Sequence, residues 1–169
     1  MTAYVALLRA VNVGGTGKLP MAELRAMATR AGFAKVRTYI ASGNLVFESD
    51  LGAGAVKAAL EAALRAYAGK TVGVMVRTAK EIAAVVAANP YPNAPPNRTV
   101  AIFLDAPPPA GFAAAVSGRV SEEIAPGRRE IYVHYPDGQA HSKLNIPSAR
   151  AGTARNLNTI ATLADMAKS

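Results

Sequence analysis

KVRTYIASGNLVFES, residues 35–49, decides the fold. Its two arms, 35–41 and 44–49, are rich in β-branched and aromatic residues and alternate in polarity, as half-buried strands do. Between them Ser42-Gly43-Asn44 is turn chemistry: glycine takes positive φ without steric cost, and serine and asparagine side chains bond their own backbone. The stretch therefore predicts a β-hairpin. Upstream, residues 4–8 (YVALL) predict a strand and residues 20–31 (PMAELRAMATRA) a helix, with Met21, Leu24, Met27 and Ala28 on one face. Pro20 suits the first helical turn and Gly32 stops the helix. Downstream, residues 53–67 place Val56, Leu60 and Leu64 at helical spacing, and 71–77 (TVGVMVR) close as a strand. The order over residues 1–78 is β-α-β-β-α-β, which predicts a ferredoxin-like unit: an antiparallel four-stranded sheet with both helices on one face.

Past Thr78 the pattern predicts a short helix over 79–88. Then comes NPYPNAPPN, residues 89–97, a stiff proline-rich connection. Strands are expected over 98–105 and 130–135, a helix over 108–118, and a weak strand around 120–125. A final helix over 153–167 carries the stripe Leu157, Ile160, Leu163 and Met166, with Thr153 as its cap. The fold expected is α+β, two ferredoxin-like halves in tandem, the second an incomplete echo of the first. The subdomains would be 1–78 and 79–169.

The 169 residues are 51% hydrophobic, enough to bury a core, and carry 19 Lys/Arg against 11 Asp/Glu. Ten basic and four acidic residues fall in 1–78 (net +6), nine and seven in 79–169 (net +2), so any basic footprint would be mainly amino-terminal. A net charge of +8 favours acidic partners, although abundant arginine also serves solubility. There is no cysteine, hence no disulfide, thiolate nucleophile or zinc ribbon, and two histidines are too few for a histidine-built metal centre. No metal and no cofactor are expected. No apolar run approaches the ~18 residues of a membrane span, and the amino terminus lacks a basic leader, so a cytoplasmic protein without membrane partners is expected.

Three segments could carry chemistry. The first is RAVNVGGTGKLP, residues 9–20, where a strand, a glycine-rich turn and a helix start follow one another. Such a start, uncapped before Pro20, offers backbone N–H groups to an anion, with Lys18 adding charge. It fails the phosphate-loop pattern at Asn12 and Leu19 and also fails the dinucleotide fingerprint. The competing reading is that Gly14, Gly15 and Gly17 merely turn the chain. The second is a sheet face: Arg9, Arg37, Tyr39, Asn44, Glu48 and Arg77 alternate with the apolar set, so an open polar face could stack bases, or else packs against the second half. The third is carboxy-terminal. HYPDGQAHSKLN (134–145) and TARNLNT (153–159) gather Asp137, His141, Ser142, Lys143, Arg155, Asn156 and Asn158, groups that hold phosphate or read amide edges. Asp137 is the one carboxylate the sequence sets near His134 and His141.

RAVNVGGTGKLPMAELR, VRTYIASGNLVFES, EIYVHYPDGQAHSKL and TARNLNTIATL together resemble the bacterial domain of unknown function 1697 family, over essentially the whole chain. The resemblance implies two ferredoxin-like halves and no established activity, cofactor or catalytic residue. It places the family's asparagine-glycine loop on Asn12, Gly14 and Gly15, and its serine-glycine-asparagine turn on Ser42, Gly43 and Asn44. The lysine-leucine element falls on Lys143 and Leu144, and the arginine-asparagine element on Arg155, Asn156 and Asn158. Leu157 stands where the family commonly has tryptophan. The stretch from Leu144 to Thr153 is shortened and carries Pro147, which argues against a helix there.

The functional expectation is capture of a phosphate-bearing ligand, nucleic acid or nucleotide. Its site would comprise Asn12, Gly14, Gly15, Lys18, Ser42, Asn44, Lys143, Arg155, Asn156 and Asn158. Two other classes stay open: a small enzyme acting on an anionic or amide metabolite, and an interaction domain whose open sheet face pairs with a protein partner or with itself as a homodimer.

Overall fold

A computed structural model describes residues 1–9 and 18–168. The chain divides into two compact units, Met1–Ala83 with Thr162–Ser169, and Ala84–Ala161.

In the first unit the order is β1 (Thr2–Leu8), α1 (Met21–Arg30), β2 (Ala34–Thr38), β3 (Asn44–Ser49), α2 (Ala53–Ala68) and β4 (Val74–Thr78), followed by α3 (Ala79–Ala87). The strands form one antiparallel sheet in the order β2-β3-β1-β4. Alternation decides which residues face the helices: Tyr4, Ala6, Leu8, Leu45, Phe47, Val74 and Val76 meet Leu24, Met27, Val56, Leu60 and Leu64 in one apolar cluster. The hairpin closes where expected, Tyr39 N donating to Asn44 O, with Gly43 at φ +88°.

The other face of this sheet is not open. Val5, Leu7, Val46, Met75 and even Arg77 are buried, so the polar set read from strand alternation does not form an exposed platform for bases. Arg37, one member of that set, donates from Nη1 to Met166 O in the tail segment that clusters with this unit.

The second unit holds β5 (Thr99–Phe103), β6 (Glu123–Pro126), β7 (Glu130–His134) and β8 (Thr153–Asn156), and α4 (Leu157–Ala167) begins there. Its sheet order, β6-β7-β5-β8, repeats that of the first, and the registers correspond. Tyr4 lies opposite Phe47 and Thr78; Val100 lies opposite Val133 and Asn156. Leu8 N donates to Gly43 O, and Leu104 N to Arg129 O, at the same place in each ladder.

Two sequence expectations need correction here. Residues 108–118 do not form an α-helix; only a 3-10 turn, Phe112–Ala115, appears, because prolines 107–109 remove donors and Gly111 and Gly118 take left-handed φ. Residues 153–167 are a strand and then a helix. Thr153 is buried in β8, and the cap is Asn156, whose Oδ1 accepts from Thr159 N. The expected disruption near Pro147 leaves a 3-10 turn, Pro147–Ala149.

The strand-to-helix junctions match. Arg77-Thr78 precede α3, where Thr78 Oγ1 accepts from Glu81 N; Arg155-Asn156 precede α4 with the cap just described. Ile82 and Ile160, at the same helical position, are both wholly buried.

Candidate functional site

Gly118 creates the concavity in the second unit. Its φ is +71°, and a Cβ built on it would lie 1.9 Å from the Lys143 carbonyl oxygen, so only glycine lets the two segments meet. Beside it Ser117 and Asn145 exchange backbone bonds of 3.0 and 2.8 Å. From this crossing two arms diverge, residues 118–122 and 135–143, and enclose a cavity of about 510 Å³. That volume suits a small ligand.

The acids of the cavity are held by the protein itself. Glu122 is buried, and its carboxylate accepts from Val120 N at 2.6 Å and from Ser142 Oγ at 2.5 Å. The Ser142 hydroxyl, then backbone N–H groups, hold its pKa down at about 2. Asp137 accepts from Ser121 Oγ at 2.8 Å. The cations are differently placed. Arg119 uses Nε on Glu122 O at 2.7 Å, and Lys143 is exposed at the rim beside His141. Among the described residues, neither cation has a carboxylate partner. Tyr135 lies along the wall, its pKa raised by burial and then by the Glu122 charge, so it is a neutral donor at physiological pH.

A serine becomes a nucleophile when a base can take its proton. Ser142 instead faces a carboxylate whose pKa of about 2 makes it a very weak base, and its oxygen also accepts from Leu144 N at 3.2 Å.

Of the residues anticipated from sequence, Lys143 lines the cavity, with Asp137, His141 and Ser142 of the same segment. Asn12, Gly14 and Gly15 lie outside the described residues. Lys18 is exposed ahead of α1, whose start has no side-chain cap, as the sequence indicated. Ser42 and Asn44 sit in the first unit. Asn44 is wholly buried, and its Nδ2 donates to Tyr39 O and Ser42 Oγ, which locks the hairpin turn. Arg155 is half-buried on β8; burial draws its pKa down to about 10, and it donates to Ala154 O. Asn156 caps α4 and Asn158 is exposed.

Arg119 and Glu122 went unanticipated. The available signal was Ser117-Gly118, a turn dipeptide, hidden inside a stretch that read as a helix end. His134 also has a carboxylate that strand counting could not supply: Glu123, opposite it on β6, with Oε1 3.0 Å from Nδ1.

Among the described residues no helix is long and apolar enough to cross a membrane. The family model for DUF1697, described as a protein of unknown function, matches residues 1–132. Arg119 and Glu122 fall inside that match and His141–Lys143 beyond it. A conserved bacterial protein from Streptococcus pneumoniae, of known structure, is similar over 100% of this chain and 99% of its own, with a TM-score of 0.79 and 24% sequence identity. At that identity the likeness bears on the fold alone. No curated protein matches the chain.

Proposed function

The chain belongs to the DUF1697 family, proteins of unknown function, and from that premise we propose that it binds a small phosphate-bearing ligand, such as a mononucleotide, in the cavity of its second unit. The carrying observation is the asymmetry of charge use. Glu122 and Asp137 are engaged by Val120, Ser142 and Ser121, whereas Arg119 and Lys143 line the cavity without a carboxylate partner among the described residues. An anionic oxygen is the group that satisfies such donors. A concave cavity of about 510 Å³ fits a nucleotide better than a nucleic-acid strand, which needs an elongated basic groove. The same weak basicity of Glu122 argues for binding over an acid–base reaction. Of the wider residue set expected from sequence, this reading keeps Lys143 at the centre.

The matched strand order, register and Arg-cap-Ile junctions support reading the two sheets as a duplicated ferredoxin-like unit. In the second copy the two covering helices are reduced to 3-10 turns.

Calorimetric titration of adenosine monophosphate and inorganic phosphate against wild type and an Arg119→Ala, Lys143→Ala double variant tests the assignment. The double variant should bind at least roughly tenfold more weakly, since charge-assisted bonds are worth about 1.5–3 kcal/mol each. Equal affinity in both proteins sinks the site. Anisotropy of labelled single-stranded RNA, run at several salt concentrations, separates the alternatives: tight, salt-sensitive RNA binding without mononucleotide binding would favour a strand.

A further inference from the structure

One residue past Glu122 the chain enters β6, where Glu123 stands opposite His134 of β7, Oε1 3.0 Å from Nδ1. Tyr91, from the proline-rich connection, lays its ring 5.8 Å from the imidazole at 37°. On the other side His134 faces Thr99 of β5, which is uncharged. Arg119 adjoins this cluster through its bond to Glu122 O, the carbonyl of the peptide leading into Glu123. The Tyr91 phenol senses the same charges: burial raises its pKa, Glu123 raises it further, and Arg119 opposes them. Glu123 and Tyr91 thus contact the imidazole, and Arg119 adjoins Glu123 through the Glu122 carbonyl.

We propose that His134 and Glu123 make ligand capture proton-linked: an imidazolium at His134 neutralises Glu123, leaving Arg119 to act at full strength on an anion in the adjoining cavity. The inference rests on the anion-pocket reading above. With a neutral imidazole the charges of Glu123 and Arg119 offset each other. With an imidazolium the set carries one net positive charge. Histidine is the side chain that ordinarily changes charge between about pH 5 and pH 8, so affinity rises as pH falls through that window. Reciprocity then requires the bound anion to raise the midpoint at which His134 titrates.

The probe is inorganic sulfate, whose charge is constant over this range. Its affinity is measured from about pH 8 to about pH 5 in wild type, His134→Gln and His141→Gln, since His141 is the chain's other imidazole and lines the cavity. Wild type and His141→Gln should tighten on acidification by about threefold or more, as expected for one added charge several ångströms away through partly screened surroundings. His134→Gln should lose that tightening while still binding. Imidazole proton resonances of the unmutated protein, assigned by means of the His141→Gln spectrum, should show the His134 midpoint moving up with sulfate. Sulfate binding whose pH dependence survives His134→Gln, or a His134 midpoint that sulfate does not move, overturns the proton link and leaves the pocket standing. Absence of sulfate binding at every pH overturns both.

Discussion

The two units have sheets of the same strand order and differ in what covers them. In the first, Tyr4, Ala6 and Leu8 lie under α1 and α2, and the covering side chains Leu24, Met27, Leu60 and Leu64 form a continuous apolar layer. In the second, the corresponding Val100, Ile102 and Leu104 lie under Phe112, Val116, Leu144, Ile146 and Ala149, contributed by 3-10 turns and loops. A long helix satisfies its own backbone and presents a regular apolar stripe. Short turns leave backbone and polar side chains to be satisfied locally, as Glu122, Ser142 and Val120 do. The cavity lies among those polar groups. The same strand order, covered two ways, gives a helix-covered core in one unit and, in the other, a loop-covered core with a candidate site beside it.

The largest expected effect is on the covering layers. Leu60→Ala, at a nearly fully buried position, should cost about 3 kcal/mol of unfolding free energy, whereas Phe112→Ala, half-buried over the second sheet, should cost roughly half as much. Urea denaturation of the two variants measures this. Equal losses would mean that the loop cover is packed as tightly as the helical one, and the contrast would fall.

Next come two glycines of the second unit, both at left-handed φ. Gly138 has nothing within 4 Å of a built Cβ, so Gly138→Ala should cost about 1 kcal/mol for backbone strain alone. Gly118→Ala adds a collision with the Lys143 carbonyl, so the loop must shift; about 2 kcal/mol or more is expected, together with loss of phosphate binding. Thermal melts and phosphate titration of both variants check it. Retained binding in Gly118→Ala would show that the crossing does not shape the cavity.

The smallest effect is on pH dependence. The folded Glu122 pKa, about 2, lies below its ordinary 4.5, so its contribution to stability is present above about pH 4.5 and is lost as pH falls through about 2. Glu122→Gln should melt at a lower temperature than wild type near neutrality and converge with it near pH 2. A constant gap across melts taken from pH 6 to about pH 2 would break the assignment of that hydrogen-bonded carboxylate.

Sequence by itself determined the elements whose signals are local. The Ser42-Gly43-Asn44 turn, the Leu60/Leu64 stripe and the uncapped start at Pro20 act through neighbours a few residues away, and the structure places each where those neighbours require. Proline at 147 likewise put the helix that the family resemblance implied there in doubt, and a 3-10 turn stands in its place. Tertiary structure decided the rest, because it turns on contacts between distant segments. Strand alternation put Arg77 on a polar face, and only the packing showed that face buried. Thr153 had the chemistry of a cap, but pairing with Phe103 drew it into a strand and passed the cap to Asn156. Lys143 was legible as a cation in a polar segment. Its meeting with Gly118, twenty-five residues earlier, and hence with Arg119 and Glu122, was not, since no spacing rule links two loops whose approach is set by the sheet between them.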